Sequence, residues 1–256
     1  MAELHAPRKG LLRGTLRRRG IYLLPNLFTT GVLFCGFYAI VQAMNARYWQ
    51  TSIAIFVAMV FDWLDGRVAR LTRTQSEFGA EYDSLADVVA FGAAPALVMY
   101  EWALRPLGRI GWIVAFAYCA ATALRLARFN VNIDVVDKRY FQGLPSPAAA
   151  ALLAGLVWVV DDFELQRTDW LNVLACAVTL FAGITMVTNL PFYSFKDVNL
   201  RRSVPFWAVL ALVLAVMVIS TNAPVVLFGL FVAYSLSGYV MWGWNLRRSR
   251  PSSRPP

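Results

Sequence analysis

Four carboxylates stand at fixed spacing in a chain that is otherwise strongly apolar: Asp62, Asp65, Asp83 and Asp87, within DWLDGRVARLTRTQSEFGAEYDSLAD. Asp62, Asp65, Gly66, Ala69 and Arg70 fall at i, i+3, i+4, i+7 and i+8, one face of a helix. Gly79, Asp83 and Asp87 fall at i, i+4 and i+8, again one face. The polar run from Thr72 to Ser76 separates the two, and Ser76 with Glu77 and Glu81 behind it suits a helix start. Two neighbouring helices can therefore bring four carboxylates to one point. An ionised carboxylate at membrane depth costs about 2.5 to 3.5 kcal/mol on insertion scales, so four uncompensated ones would cost on the order of 10 kcal/mol. Oxygen-only ligands suit a hard cation such as Mg²⁺ or Mn²⁺. Two such ions balance four carboxylates, and paired metals are suited to displacement at phosphorus. Gly66, Ala69 and Gly79 leave room for a pyrophosphate or base to approach the backbone, and Arg70 is placed to pair with a phosphate.

The elements that position these groups are transmembrane helices. The 256 residues are 59% hydrophobic and only 15% charged, against roughly 25% charged in a soluble domain. Apolar runs predict spans near residues 22–44, 50–62, 79–104, 110–129, 148–160, 170–190, 204–221 and 225–244. The expected class is all-α, polytopic, with about eight transmembrane helices. Eight spans put both termini on one side, and twenty of the 24 Lys and Arg then share that side with the aspartates. The positive-inside rule makes it cytoplasmic. The basic residues sit in the tails and short loops, so the net charge of +9 reads as membrane orientation and attraction to anionic lipid, with no nucleic acid partner. The single histidine, His5, lies in the N-terminal tail, which leaves no Ser-His-Asp triad or histidine-ligated metal for the membrane region. Cys35, Cys119 and Cys176 fall in apolar runs with no CxxC pair, and they read as packing residues.

The spaced set resembles the motif of the CDP-alcohol phosphatidyltransferase family, DxxDGxxAR followed by eight residues and GxxxDxxxD. Asp62, Asp65, Gly66, Ala69, Arg70, Gly79, Asp83 and Asp87 match it at every position. The resemblance covers about the first six spans. It implies a basic tail at 1–21, a six-span catalytic core at 22–200, two additional spans at 201–246 and a basic tail at 247–256. It implies attack of an alcohol on a CDP-activated lipid, release of CMP, two bound divalent cations (Mg²⁺ or Mn²⁺) and a homodimer. On the matching positions, Asp62 and Asp83 would bridge both metals, Asp65 would complete one site and Asp87 the other. Asp87 would also be the general base. Gly66, Arg70, Ser76 and Gly79 would hold the CDP part of the lipid, with Asn26 and Thr29 of the first span.

Two further segments are similar to the family's integral-membrane bacterial phosphatidylserine synthase subgroup: ALRLARFN and FQGLPSPAAA. LPFYSFK and the two extra spans fit the same subgroup. The acceptor implied is L-serine, attacking CDP-diacylglycerol, at the cytoplasmic face of a bacterial inner membrane. Arg125, Arg128, Asn130, Gly143 and Lys196 are the candidate acceptor contacts, since serine brings a carboxylate that a cation can read. Glycerol 3-phosphate or inositol phosphate would be the alternative acceptors and would want a denser basic pocket. A cation transporter using the four aspartates is the alternative of another class; it would need polar positions through several spans, and spans six to eight are nearly uncharged.

Overall fold

The computed structural model describes residues 9–72, 76–131, 140–166, 168–193 and 206–248. Within them the chain forms eight helices: α1 (Lys9–Met44), α2 (Tyr48–Thr72), α3 (Glu77–Leu107), α4 (Arg109–Val131), α5 (Ser146–Asp162), α6 (Asp169–Val187), α7 (Phe206–Thr221) and α8 (Ala223–Arg248). The architecture is all-α and membrane-like, as composition implied. Among the described residues, five stretches are long and apolar enough to cross a bilayer: Asn26–Met44, Glu77–Leu107, Arg109–Val131, Asp169–Val187 and Ala223–Trp244. The other three differ for physical reasons. α2 carries Asp62, Asp65, Arg67 and Arg70 in its last turns, α5 is 17 residues long, below the roughly 20 that a hydrocarbon core asks for, and α7 is described only from Phe206 onward. α1 begins at Lys9, so the first span continues as helix into the segment read as a basic tail.

α1 and α2 pack along one another, α4 lies on α6, α5 sits between α2 and α8, and α7 packs chiefly on α8. Small residues set the closest approaches, as expected where lipid supplies no hydrophobic drive between helices. A Cβ at Gly36 would come 2.6 Å from the Ala90 backbone of α3, and one at Gly183 would come 3.3 Å from the Tyr118 Cα of α4.

α3 is not a uniform α-helix. It widens into π-helix at Val88–Ala93 and again at Tyr100–Leu104. The first widening starts directly after Asp87. The buried Tyr118 hydroxyl donates to the Phe91 carbonyl at 3.0 Å, satisfying a group inside that wide turn.

The loops after α4 and α6 hold a pair of short strands that the all-α reading did not include. β1 (Tyr140–Gln142) pairs antiparallel with β2 (Pro191–Tyr193), Phe141 opposite Phe192. Three residues per strand are too few for a period-two pattern.

Candidate active site

The last turns of α2 and the first turns of α3 come together with α1 and the end of α4. Ser76 starts α3: its backbone is extended, and its hydroxyl accepts from the Gly79 N–H at 3.0 Å. That cap fixes where the helix begins and hence where Asp83 and Asp87 point, about two and three turns on. Oxygens of Asp62, Asp83 and Asp87 lie within 4.8 Å of one another. Asp65 stands beside Asp62 and Asp83, 5% exposed, and accepts from the Thr29 hydroxyl of α1 at 3.0 Å. The four aspartates expected to converge are thus adjacent, three in one tight group and the fourth held by α1.

This arrangement fits a divalent cation. One Oδ1 each of Asp83 and Asp87 is buried with no hydrogen-bond partner among the described residues. A buried acceptor left unpaired costs about 1 to 3 kcal/mol, more when charged. Like charges at such separations repel, and the donor set is oxygen only, the chemistry of Mg²⁺ or Mn²⁺. Among the described residues, Arg125 is the buried cation within electrostatic reach of Asp87 and Asp62, and one guanidinium cannot balance four carboxylates.

Around the aspartates, Gly79 is tightly framed. A Cβ there would come 3.0 Å from the Ser76 hydroxyl and 3.4 Å from the Asn26 side-chain oxygen, so Asn26, Ser76 and Gly79 form one cluster. Gly66 has open space beside it, bounded by the Arg70 guanidinium at 3.6 Å from a built Cβ. Thr30 of α1 bonds the Tyr82 hydroxyl at 3.0 Å, tying α1 to α3 at the level of the carboxylates.

The acceptor-side residues separate into different environments. Arg125 is 8% exposed; its Nη1 donates to the Ser146 hydroxyl at 3.0 Å, and its Nε is buried without a partner among the described residues. Arg128 is committed elsewhere. Its Nη1 donates to the Val187 carbonyl and Asn189 Oδ1 at 3.0 and 3.1 Å, and its Nη2 to the carbonyls of Gln142, Met186 and Thr188 at 3.1, 3.4 and 3.4 Å. Asn130 donates to the Ser84 hydroxyl at 2.9 Å, pinning the end of α4 beside Asp83. Gly143 has φ +77°, and a Cβ there would strike the Met186 carbonyl at 2.3 Å, so the turn between β1 and α5 demands glycine. Lys196 lies outside the described residues.

Two roles go beyond the candidate set. Ser146, inside the FQGLPSPAAA segment but not among the candidate acceptor contacts, has a buried hydroxyl that partners Arg125. Thr29, a candidate contact of the lipid nucleotide, donates its hydroxyl to Asp65. A Ser directly before Pro147 was the available signal for the first, while the second needs the α1–α2 register.

Comparison with known proteins gives a consistent result. The family model described as CDP-alcohol phosphatidyltransferase matches residues 22–184. The chain is 36% identical over 222 residues to the CDP-diacylglycerol–serine O-phosphatidyltransferase of Helicobacter pylori (strain ATCC 700392 / 26695), covering 87% of this chain and 92% of that one. It is also similar to proteins of the same name from Methanocaldococcus jannaschii, at 36% over 143 residues (56% of this chain, 63% of that one), and Saccharomyces cerevisiae, at 38% over 141 residues (50% of each).

Proposed function

The chain belongs to the CDP-alcohol phosphatidyltransferase family, and from that membership we propose that it transfers the phosphatidyl group of CDP-diacylglycerol to L-serine, giving phosphatidylserine and CMP. The observation that carries this reading is the convergence of Asp62, Asp83 and Asp87 beside a buried arginine whose Nε has no partner among the described residues. The relatives' names supply the acceptor.

The residues divide the work as follows. Asp62, Asp65, Asp83 and Asp87 would hold two divalent cations, with Thr29 fixing the orientation of Asp65. Bound there, such ions neutralise the diphosphate and the charge that develops on departing CMP. Gly66 leaves space beside Arg70, and together with the Asn26, Ser76 and Gly79 cluster they bind the nucleotide end of the lipid. Arg125 takes the serine carboxylate, using the Nε that has no partner among the described residues. The serine hydroxyl oxygen forms the new bond to phosphorus, its proton passes to the Asp87 carboxylate, and the bond from phosphorus to the CMP oxygen breaks with its electron pair on CMP. A carboxylate is a weak base for an alcohol, but one within hydrogen-bond reach takes the proton as the bond forms. Arg128, Asn130 and Gly143 serve the same end by shaping the backbone around Arg125.

The protein is an integral membrane protein. The charge asymmetry of the loops supports an inward-facing site in a bacterial inner membrane, where CDP-lipid and soluble serine meet. A homodimer follows from the family resemblance. The test is an acceptor panel: purified protein, CDP-diacylglycerol and Mn²⁺, offered labelled serine, glycerol 3-phosphate or inositol phosphate in turn. Phosphatidylserine is the expected product. Incorporation of either phosphate acceptor without serine would overturn the assignment of acceptor.

A further inference from the structure

The matched family core ends at residue 184, yet the last helix reaches back to the frame of the acceptor site. α8 meets β2. The Phe192 side chain is fully buried, its ring 5.7 Å from that of Tyr234. A Cβ at Gly238 would fall 2.4 Å from the same ring, so Phe192 occupies the space that Gly238 leaves. The Tyr234 hydroxyl donates to the Tyr193 carbonyl at 3.2 Å, and Tyr239 shares a 2.7 Å hydrogen bond with Thr185 at the end of α6.

From β2 the connection runs inward without a gap. β2 pairs with β1, the Gly143 N–H donates to the Leu190 carbonyl at 2.9 Å, and the Leu144 N–H donates to the Thr185 carbonyl at 3.1 Å. Arg128 staples the same two segments, reaching Gln142 on one side and Met186 to Asn189 on the other. Two residues beyond Leu144 stands Ser146, the hydrogen-bond partner of Arg125. Asp62, Asp65, Asp83 and Asp87 sit on α2 and α3, outside this chain of contacts.

We propose that α8 is part of the acceptor site: through Phe192 and Tyr193 it fixes the strand pair that sets Ser146, and so Arg125, in place, making Tyr234 and Gly238 positioning residues for the serine substrate. The proposal rests on the reading of Arg125 as the carboxylate contact. Its consequence is a separation of the two substrates. Disturbing the α8–β2 contact weakens serine binding and leaves CDP-diacylglycerol and metal binding as they were.

A matched pair of glycines in α8 provides the test. Gly238→Leu drives a side chain into Phe192, whereas Gly229→Leu points into open space. Both are measured in the full-length protein beside Tyr234→Phe, which keeps the ring and removes the bond to Tyr193. Serine KM, CDP-diacylglycerol KM and direct Mn²⁺ binding are read for each, with Arg125→Ala as reference. Gly238→Leu is expected to raise serine KM about tenfold and Tyr234→Phe about threefold, with CDP-diacylglycerol KM unchanged. Mn²⁺ affinity stays at the native value in both, and Gly229→Leu changes nothing. If Gly238→Leu and Tyr234→Phe leave serine KM alone, or move both KM values together, the proposal fails while the Arg125 effect still stands. If Arg125→Ala itself leaves serine KM unchanged, the carboxylate reading fails, and any effect of α8 then travels by another route than the one proposed.

Discussion

The charges at the centre of this protein were legible from residue type and spacing. Asp62/Asp65 and Asp83/Asp87 at helical intervals predicted a shared site, and oxygens of Asp62, Asp83 and Asp87 lie within 4.8 Å of one another. With Asp87 as general base, Asp87→Asn should lower kcat by about 10²- to 10⁴-fold. Asp62→Asn should in addition weaken Mn²⁺ binding, read by calorimetry on the purified protein; native affinity in that variant would contradict its assignment as a ligand. Thr29→Val removes the hydroxyl that Asp65 accepts from. A hydrogen bond to a charged group contributes about 1.5 to 3 kcal/mol, so a loss of about tenfold or more in Mn²⁺ affinity is expected. What spacing did not reveal is which hydroxyl serves which carboxylate. Thr29 and Ser146 are ordinary residues in sequence, and their roles come from contacts spanning 36 and 21 positions.

At the level of elements, the all-α, membrane-like class and the N-cap at Ser76 followed from apolar run length and local capping chemistry, whereas only five of the eight expected spans are long and apolar enough among the described residues. The π-helical turns of α3 and the β1–β2 pair did not. A π-turn leaves no periodic signature over six residues, and strands of three residues are too short to show alternation. Both features matter to the site. The wide turn after Asp87 is held by Tyr118, and Tyr118→Phe removes a hydrogen bond to the Phe91 carbonyl, a loss of about 0.5 to 1.5 kcal/mol. The expected result is a lower thermal midpoint in detergent, together with weaker Mn²⁺ binding, because the register of Asp87 is set by the turn it precedes. Gly36→Val should do more damage, since a Cβ at 2.6 Å from the Ala90 backbone separates α1 from α3 and carries Thr29 away from Asp65. Intact Mn²⁺ binding in a folded Gly36→Val protein would show that the α1–α3 approach does not position the site.

For the molecule as a whole, charge distribution predicts a single orientation. With Cys35, Cys119 and Cys176 replaced by Ala, Gln166→Cys in the α5–α6 loop should react with a membrane-impermeant maleimide in intact cells. Glu77→Cys at the exposed start of α3 should react only after permeabilisation. The reverse pattern would place the aspartates on the wrong side for soluble serine. The central claim is that the serine hydroxyl attacks phosphorus at the Asp62–Asp87 site. Serine carrying ¹⁸O in its hydroxyl group, supplied with CDP-diacylglycerol and Mn²⁺, tests it most directly by mass spectrometry of the product. The expected outcome is ¹⁸O retained in the phosphodiester, one CMP released per phosphatidylserine formed, and neither product in Asp87→Asn above a trace. Release of CMP without serine, or phosphatidylserine lacking the label, would contradict it.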